Sequence, residues 1–298
     1  MDNIQIAFVT DSHYLDFAII SIVSLLDNHR YGGLIINLIH NDLSDDDIKR
    51  VLKLQEMAPF ELVPHFIDKK EFQREWGVAR PTYYRLMLPD ICKTVDRMIY
   101  LDCDMIVLDD IIHLWQQDLH GSYLGVCGDR CGLKVCKDLG MQPEKYFNAG
   151  MLLMDLAKMR LDNSSNSMKK IIRDNNVKLK YADQDILNYC FWDKSIILHQ
   201  RWNILTSVYR NLPVKGMYTV EEVKEALSNP GIVHFTGHHK PWLFWKTTHH
   251  PYANRFFRYV KMSPISKTFK LKMLLKEYFF NIWKAPTSSV PWDRTIIK

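Results

Sequence analysis

The stretch that decides the fold is Arg97–Leu108, which reads RMIYLDCDMIVL. Apolar residues flank two acids, Asp102 and Asp104, which stand two positions apart. Charged carboxylates are costly in apolar surroundings unless a cation or a hydrogen-bond donor pairs with them. The pattern therefore predicts a buried strand over 97–101 that delivers both carboxylates into a cleft at its carboxyl end.

The rest of the front half alternates between strand-like and helix-like patterns. Strands are predicted at 4–10, 34–40, 61–66, 122–126 and 150–155, and helices at 16–26, from the N-cap Ser44 onward, near 82–88, at 168–175 and at 184–191. This alternation predicts an α/β fold, with a Rossmann-like, mostly parallel sheet and helices on both faces. In such sheets ligands gather at the carboxyl ends of the strands. Thr10–Tyr14 and Asp102–Asp104 would both lie there.

Composition and charge narrow the class of protein. The chain has 298 residues, 47% of them hydrophobic, which is enough for one large core. We expect no membrane-spanning segment and no secretory signal, and six cysteines without a disulfide pattern predict reduced thiols in the cytoplasm. After residue 250 the chain has ten Lys/Arg and two acids, whereas the remainder is nearly neutral. This asymmetry predicts an acidic surface, and no nucleic acid, as the partner of the tail.

The Asp-Cys-Asp motif has several possible uses. It could be a pair of solvated acids in a turn. Hard divalent cations prefer oxygen ligands, so the pair could instead hold a metal against the diphosphate of a nucleotide-sugar. A haloacid-dehalogenase-like phosphatase would use Asp102 as its nucleophile, although that pattern wants Thr or Val where Ile106 stands. A non-catalytic nucleotide-sugar-binding protein is a third possibility.

Six motifs in order favour the nucleotide-sugar interpretation. They are FVTDSHY (Phe8–Tyr14), TYYRLMLPD (Thr82–Asp90), YLDCDMIV (Tyr100–Val107), YFNAGMLLMDL (Tyr146–Leu156), ADQDILN (Ala182–Asn188) and HFTGHHKPW (His234–Trp242). With them the chain resembles the retaining family 8 glycosyltransferases, which include bacterial lipopolysaccharide galactosyl- and glucosyltransferases. The resemblance implies a GT-A fold and transfer of a hexose from UDP-galactose or UDP-glucose to a saccharide acceptor. A lipid-linked glycan such as lipopolysaccharide is the expected acceptor.

The resemblance also implies a role for individual residues. Mn²⁺ or Mg²⁺ would be held by Asp102, Asp104 and His234. Donor binding would involve the following residues: Thr10, Asp11 and Tyr14 toward the uridine, Arg85, Cys103, Asp129 and Asn148 toward the sugar and diphosphate, and Gly237 and Lys240 at the diphosphate.

ADQDILN is the expected catalytic motif. No strong nucleophile is evident in it, so we expect retention of configuration through front-face attack, in which the leaving phosphate takes the acceptor proton. Gln184 and Asp183 would steady the oxocarbenium-like sugar. Lys240, with the metal, would stabilise the leaving diphosphate.

The C-terminal tail is basic and amphipathic. Helical spacing over 266–284 aligns one apolar stripe, which consists of Leu271, Leu274, Leu275, Tyr278, Phe279 and Ile282, while Lys270, Lys276 and Lys284 lie mostly opposite. We predict a catalytic domain at 1–262 and a helical membrane-association tail at 263–298, which would hold the protein on the inner face of the cell membrane. A terminal helix packed on the body is the simpler alternative.

Overall fold

A seven-stranded sheet forms the centre of the molecule. It is seen in a computed structural model that describes residues 3–30, 32–174, 178–210, 216–237, 240–243 and 250–282. The strands along the chain are β1 (Ile4–Val9), β2 (Leu34–His40), β3 (Glu61–Phe66), β4 (Arg97–Leu101), β5 (Met105–Val107), β6 (Leu124–Gly128), β7 (Phe147–Asp155), β8 (Ser195–Ile197), β9 (Ile204–Leu205) and β10 (Ile232–His234). The order in the large sheet is β3-β2-β1-β4-β7-β6-β8.

The strand directions bring two carboxyl ends together at the centre of this sheet. β3, β2, β1 and β4 run parallel, and in this register Phe8 lies beside Leu101. β7 runs antiparallel between β4 and β6, and β8 pairs parallel with β6. The fold is therefore the α/β arrangement with a mostly parallel sheet that the sequence predicts.

A second, three-stranded sheet contains the short strand GIVHF that the sequence predicts at His234, but the pairing of this strand with two others was not predicted. Its order is β5-β10-β9, with β10 antiparallel to β5 and parallel to β9. These strands contain only two or three residues each, which is too short for a periodic sequence signal. The first strand of this sheet, β5, directly follows β4 in the chain, and the pairing of β5 with β10 brings the back third of the protein against the Asp-Cys-Asp turn.

Helices cover both faces of the large sheet. They are α1 (Leu15–Asn28), α2 (Asp45–Leu52), α3 (Lys69–Trp76), α4 (Leu88–Ile91), α5 (Ile112–Trp115), α6 (Gly132–Leu139), α7 (Leu156–Leu161), α8 (Ser164–Asp174), α9 (Asp183–Phe191), α10 (Thr206–Arg210), α11 (Val220–Ser228), α12 (Ala253–Met262) and α13 (Lys267–Ile282). Alternate residues of the strands separate two cores: Ile6 and Phe8 pack with α1 and α12, whereas Tyr100 and Met98 pack with α3, α8 and α9.

Most predicted elements match the observed ones, and the differences have local causes. Ser44 caps α2 with the reciprocal bonds of a capping box to Asp47. The helix predicted near 82–88 is a 3₁₀ helix at Pro81–Met87, followed by the short α4, because Pro89 cannot donate a backbone hydrogen bond. β6 is shifted two residues toward the C-terminus, and β7 begins three residues earlier than predicted. Residue 175 of the predicted helix 168–175 lies outside the described residues.

The basic tail forms α13, which packs against α12 and the body. Met273 is buried, and the Phe269 ring meets the Phe17 ring edge-on at 5.1 Å. Lys270 Nζ donates to the Lys261 carbonyl at 2.7 Å, and Lys276 Nζ contacts the Trp242 carbonyl, so these lysines lie on the body side.

The apolar stripe of α13 points outward. The exposed fractions of Leu271, Leu275 and Tyr278 are 61%, 50% and 60%. Trp283 and Lys284 lie outside the described residues, as do the side chains of Phe279 and Ile282. Among the described helices, none has the length and apolar character needed to cross a bilayer.

Candidate functional site

The two acids of the Asp-Cys-Asp motif lie in the turn between β4 and β5. The Asp102 backbone N–H donates to the Gly150 carbonyl at 2.8 Å, which ties the turn to β7. The Asp104 carbonyl accepts from the Phe235 N–H at 3.0 Å, which ties it to the end of β10. Both acids are therefore held by backbone bonds from two sheets.

His234 joins the two acids through the pairing of β10 with β5, where it lies opposite Met105. Its Nε2 is 3.1 Å from Asp104 Oδ1 and 3.8 Å from Asp102 Oδ2. One ligand atom from each of these three residues lies within 4.8 Å of the others. Two hard carboxylates and one imidazole fit Mn²⁺ or Mg²⁺, and the arrangement leaves the remaining coordination positions to other oxygens.

Gly150 gives this cluster its space. An added Cβ would lie 2.4 Å from His234 Cε1 and 2.7 Å from Asp102 Oδ2. Real Cβ atoms do not approach other atoms so closely, so a side chain at this position would displace a candidate ligand. The glycine of the YFNAG motif is therefore explained by the cluster it faces.

A pocket of about 300 Å³ opens beside the acids. Residues from the ends of β1 and β4 and from the 3₁₀ helix line it: Val9, Thr10, Asp11, Tyr14, Pro81, Thr82, Arg85, Tyr100, Asp102, Cys103 and Asp104. Larger cavities of about 470 and 610 Å³ lie elsewhere, but neither is lined by a residue predicted for the site. The site therefore lies at the carboxyl edge of the sheet, as predicted from the strand order.

The predicted uridine residues form one wall of this pocket. Asp11 Oδ1 accepts from the Tyr14 N–H at 2.9 Å, which leaves the other carboxylate oxygen without a bond in the turn. Tyr14 is 48% exposed, so its ring is open to stacking. Thr10 is buried, and its N–H donates to the Ile39 carbonyl, which fixes the start of the loop.

Arg85 connects the candidate metal cluster to the catalytic motif. Its Nη2 lies 3.0 Å from Asp102 Oδ1, its Nε lies 2.9 Å from Asp183 Oδ2, and its Nη1 donates to the Ala149 carbonyl at 2.6 Å. Burial alone would lower the pKa of Arg85, but Asp102 and Asp183 outweigh it and raise that pKa. Burial also raises the pKa of Asp183, with Arg85 opposing the shift.

Asp129, Asn148 and Gln184 form a connected polar cluster. Asn148 Nδ2 donates to Asp129 Oδ2 and to Gln184 Oε1, both at 3.1 Å. Gln184 Nε2 donates to Asp129 Oδ2 at 3.3 Å and to the Tyr146 hydroxyl at 3.1 Å. Asp129, which directly follows β6, thus meets residues of β7 and α9. The donor-sugar role that the resemblance implies for this cluster stays a prediction.

Lys240 lies at the metal cluster, where its Nζ forms an ion pair with Asp104 Oδ2. Burial by itself would raise the pKa of Asp104, but His234 and Lys240 hold that pKa below its usual range. Gly237 precedes Lys240 with a φ of 67°, in the left-handed region that favours glycine, and it is exposed. Residues 238–239 lie outside the described residues.

Cys103 lines the pocket without joining the cation cluster. Its thiol donates to the Val9 carbonyl at 3.2 Å, and burial raises its pKa well above the usual range. In the described part of the chain, the cluster that could hold a metal consists of the two acids and His234.

Several residues of the site were not singled out in the sequence. The Tyr100 hydroxyl donates to Asp102 Oδ1 at 2.6 Å, and the Tyr146 hydroxyl donates to Asp185 Oδ1 at 2.6 Å. Asp185, which is fully buried, also accepts from the backbone of Lys180 and Tyr181, so it holds the loop before α9. The tyrosines stand inside quoted motifs, which was the available signal. Asn203, which bonds to His234, stands in none of them.

Comparison with known proteins identifies relatives over most of the chain. The model of "Glycosyl transferase family 8" matches residues 5–246. General stress protein A of Bacillus subtilis (strain 168) is 30% identical over 260 residues, covering 84% of this chain and 89% of that protein. A lipopolysaccharide 1,2-glucosyltransferase of Escherichia coli (strain K12) is 27% identical over 254 residues, covering 81% of this chain and 73% of that protein.

A solved structure with the same fold is that of the galactosyltransferase LgtC in complex with donor and acceptor sugar analogs. It superimposes with a TM-score of 0.75 at 22% identity, covering 90% of this chain and all of that one. At this identity the likeness concerns the fold, which is the GT-A type arrangement expected from the six motifs.

Proposed function

The chain belongs to glycosyl transferase family 8, and we propose that it transfers galactose or glucose from a UDP-sugar to a saccharide acceptor with the help of Mn²⁺ or Mg²⁺. The observation that carries this proposal is the convergence of Asp102, Asp104 and His234 beside a pocket lined by Asp11, Tyr14 and Arg85. Membership of this family argues against the alternative of a phosphatase with Asp102 as its nucleophile. It also argues against a purely nucleotide-sugar-binding protein.

The side chains around the pocket have distinct roles in this proposal. The open carboxylate oxygen of Asp11 accepts the uracil imide N–H, and the exposed ring of Tyr14 stacks on the base. Asp102, Asp104 and His234 would hold the cation, which when bound would supply Lewis-acid stabilisation to the leaving diphosphate. Lys240, already at the cluster, adds a second positive charge at the same place.

The sugar lies against the Asp129, Asn148 and Gln184 cluster in this proposal. Asp129 and Asn148 bond to its hydroxyl groups, and Gln184 presents its amide oxygen to the anomeric region. Asp183 is held beside the pocket by Arg85 at 2.9 Å, so its negative charge stabilises positive charge that develops on the sugar. Among the described carboxylates of the site, Asp102 and Asp183 pair with Arg85 and Asp104 pairs with Lys240, while the open oxygen of Asp11 is assigned to the base. None of them is therefore assigned as a nucleophile at the anomeric carbon, which supports front-face attack and retention.

Release of UDP from a panel of UDP-sugars tests the donor and the metal together. Purified protein is incubated with UDP-galactose, UDP-glucose, UDP-N-acetylglucosamine and UDP-glucuronate, first with Mn²⁺ and then with chelator. We expect slow UDP release from one UDP-hexose that stops with chelator. No release from any donor, or release that persists in chelator, would contradict the proposal.

Two Asp→Asn variants distinguish the loss of a cation ligand from the loss of a negative charge elsewhere in the protein. Asp104→Asn removes an oxygen ligand, and we expect at least a 100-fold loss of Mn²⁺-dependent UDP release. Asp96→Asn changes an acid at the opposite end of β4 that pairs with Arg160 at 2.8 Å. This control should retain release within about twofold, because exposed ion pairs contribute little.

We further propose a lipid-linked glycan as the acceptor and the cytoplasmic face of the cell membrane as the location. The support is the name of a relative, a lipopolysaccharide 1,2-glucosyltransferase, together with the outward-facing stripe of α13. Leu271, Leu275 and Tyr278 present apolar surface on a helix that also exposes Lys267 and Lys272, the combination that binds anionic interfaces.

Sedimentation with vesicles tests the membrane proposal. We expect the protein to sediment with vesicles containing 30% phosphatidylglycerol, with about tenfold weaker binding for Leu271→Asp/Leu275→Asp. Leu52→Asp/Leu161→Asp adds the same charges at exposed leucines on α2 and α7 and serves as the control. Point variants are preferable to truncation, because α13 buries Met273 and covers Phe17. Equal binding by both double variants would refute this role of α13.

A further inference from the structure

Asn203 is a buried amide that links the two halves of the site. It ends the 3₁₀ helix at Gln200–Trp202 and directly precedes β9, whose pairing with β10 brings it beside His234. Its Oδ1 lies 3.2 Å from His234 Nδ1, and its Nδ2 donates to Asn148 Oδ1 at 2.9 Å. Asn203 is fully buried, so water cannot replace either bond.

One backbone N–H fixes which group donates and which accepts in the hydrogen bonds that link Asn148, Asn203 and His234. The Gly150 N–H donates to the Asn148 side chain at 2.9 Å, and a backbone N–H can only donate, so the atom that it meets is the carbonyl oxygen. The same Asn148 oxygen faces Asn203, which must therefore present its NH₂ group to it. Asn203 then presents its own oxygen to His234 Nδ1.

We propose that Asn203 is a positioning residue that keeps a proton on His234 Nδ1, so that Nε2 is directed at the cation between Asp102 and Asp104, and that it couples this ligand to the donor-sugar cluster through Asn148. An oxygen beside Nδ1 is satisfied only by an N–H, and imidazole binds a metal through the nitrogen that lacks a proton. The relay runs from Gly150 through Asn148 and Asn203 to His234.

The two bonds of Asn203 have separable consequences. Its oxygen orients the metal ligand, whereas its NH₂ group holds Asn148, which also donates to Asp129 and Gln184. Losing the first bond should weaken metal binding, and losing the second should weaken donor binding. This inference rests on the proposed metal dependence, but the protonation of His234 can be measured without metal.

The first experiment measures the His234 tautomer directly. Protein labelled with ¹⁵N in its twelve histidines is examined by long-range ¹H–¹⁵N correlation without metal, and His234→Gln identifies the signal by its loss. We expect a proton on Nδ1 in the wild-type protein. A wild-type His234 whose Nδ1 carries no proton would overturn the proposal, whatever the metal requirement of the enzyme.

Two substitutions of Asn203 then separate the two bonds. Asn203→Ala removes both, and we expect a 10- to 100-fold loss of Mn²⁺ affinity by titration calorimetry. Asn203→Asp is nearly isosteric and can still accept from Nδ1 but cannot donate to Asn148. We expect Asn203→Asp to keep Mn²⁺ affinity within about threefold of wild type while weakening UDP-sugar binding about tenfold or more.

The control is Asn37→Ala, which removes a buried amide in β2 that bonds to Gln5 and His65 away from the site. It should lower thermal stability without changing Mn²⁺ affinity. Wild-type Mn²⁺ affinity in Asn203→Ala, or equal loss in Asn203→Asp, would overturn the proposal. If Asn203→Ala fails to fold, the proposal is still tested by the His234 tautomer of the wild-type protein and by the Mn²⁺ and UDP-sugar affinities of Asn203→Asp. Absence of Mn²⁺ binding by the wild-type protein would instead count against the proposed function.

Discussion

Gly150→Ala should disable the candidate cation site while leaving the fold in place. The added Cβ would lie 2.4 Å from His234 Cε1 and 2.9 Å from Nδ1, whereas ordinary contact begins at 3.4 Å. The imidazole, or the strand that carries the alanine, must therefore move by about 1 Å. Metal–ligand distances tolerate only about 0.2 Å, so a shift of this size removes His234 from the coordination sphere.

The free-energy cost follows from the same geometry. His234 is buried and bonded to Asn203, so it cannot turn away without breaking that bond. Overpacking of this kind costs about 1–3 kcal/mol of folding stability. We expect Mn²⁺ affinity to fall more than tenfold, which corresponds to about 1.4 kcal/mol or more of binding free energy. UDP release should fall in parallel.

Mn²⁺ titration calorimetry and chemical denaturation measure the two effects separately. Gly125→Ala in β6 is the matched control, because the atoms nearest to its Cβ would be in the side chains of Leu198 and Leu119, at 3.0–3.3 Å. Both variants should lose stability, but only Gly150→Ala should lose Mn²⁺ affinity. Unchanged Mn²⁺ affinity in a folded Gly150→Ala protein would refute the assignment of His234 as a ligand at this site.

Three further predictions concern stability and activity. Arg85→Met leaves Asp102 and Asp183 without their shared cation, so we expect unfolding free energy to fall by about 3 kcal/mol in urea and UDP release to be lost; a stable, active variant would contradict this. Burial alone would raise the pKa of Asp110, but hydrogen bonds from the Ile112 N–H, from His29 and from the Arg30 N–H lower it from its ordinary value of 3.8. A carboxylate whose pKa is lower in the folded state stabilises the protein above pH 3.8, and this stabilisation is lost as the pH falls through the folded-state pKa. Asp110→Asn should therefore cost about 1 kcal/mol at pH 7 and progressively less below pH 4 in denaturation curves, and a cost that does not depend on pH would argue against it. Ala182 has a φ of 50° and a ψ of −120°, which is strained for a residue with a Cβ, so Ala182→Gly should raise the unfolding free energy by about 1 kcal/mol; a decrease would show that this backbone is not strained.

The sequence specified the long elements of the fold well because their burial is continuous. The strands at Leu34–His40, Glu61–Phe66 and Arg97–Leu101 were predicted to the residue. The 3₁₀ helix at Pro81–Met87 was predicted as an α-helix, because apolar periodicity does not distinguish the two when proline removes a backbone donor. The three strands β5, β8 and β9 were missed because each is only two or three residues long.

Some residues of the candidate site could be predicted from the sequence, and others could not. The residue types and their order in six motifs were visible in the chain, and the structure brings Asp102, Asp104 and His234 together with Arg85 and Lys240, while the functional roles of these residues stay predictions. Asn203 could not be found, because a buried asparagine has no characteristic spacing and its role depends on two side chains distant in sequence. The domain boundary at 262 stays a prediction, although α13 packs on α12.

The amino-acid sequence by itself determined which side chains are available as cation ligands, and that Asp102 and Asp104 follow the end of a buried strand. Only the tertiary structure decided that His234 meets Asp104, through the backbone pairing of β10 with β5. Backbone hydrogen bonds are the same for every residue, so a short strand does not encode its partner. The convergence is instead a product of the packing of the whole chain around one sheet.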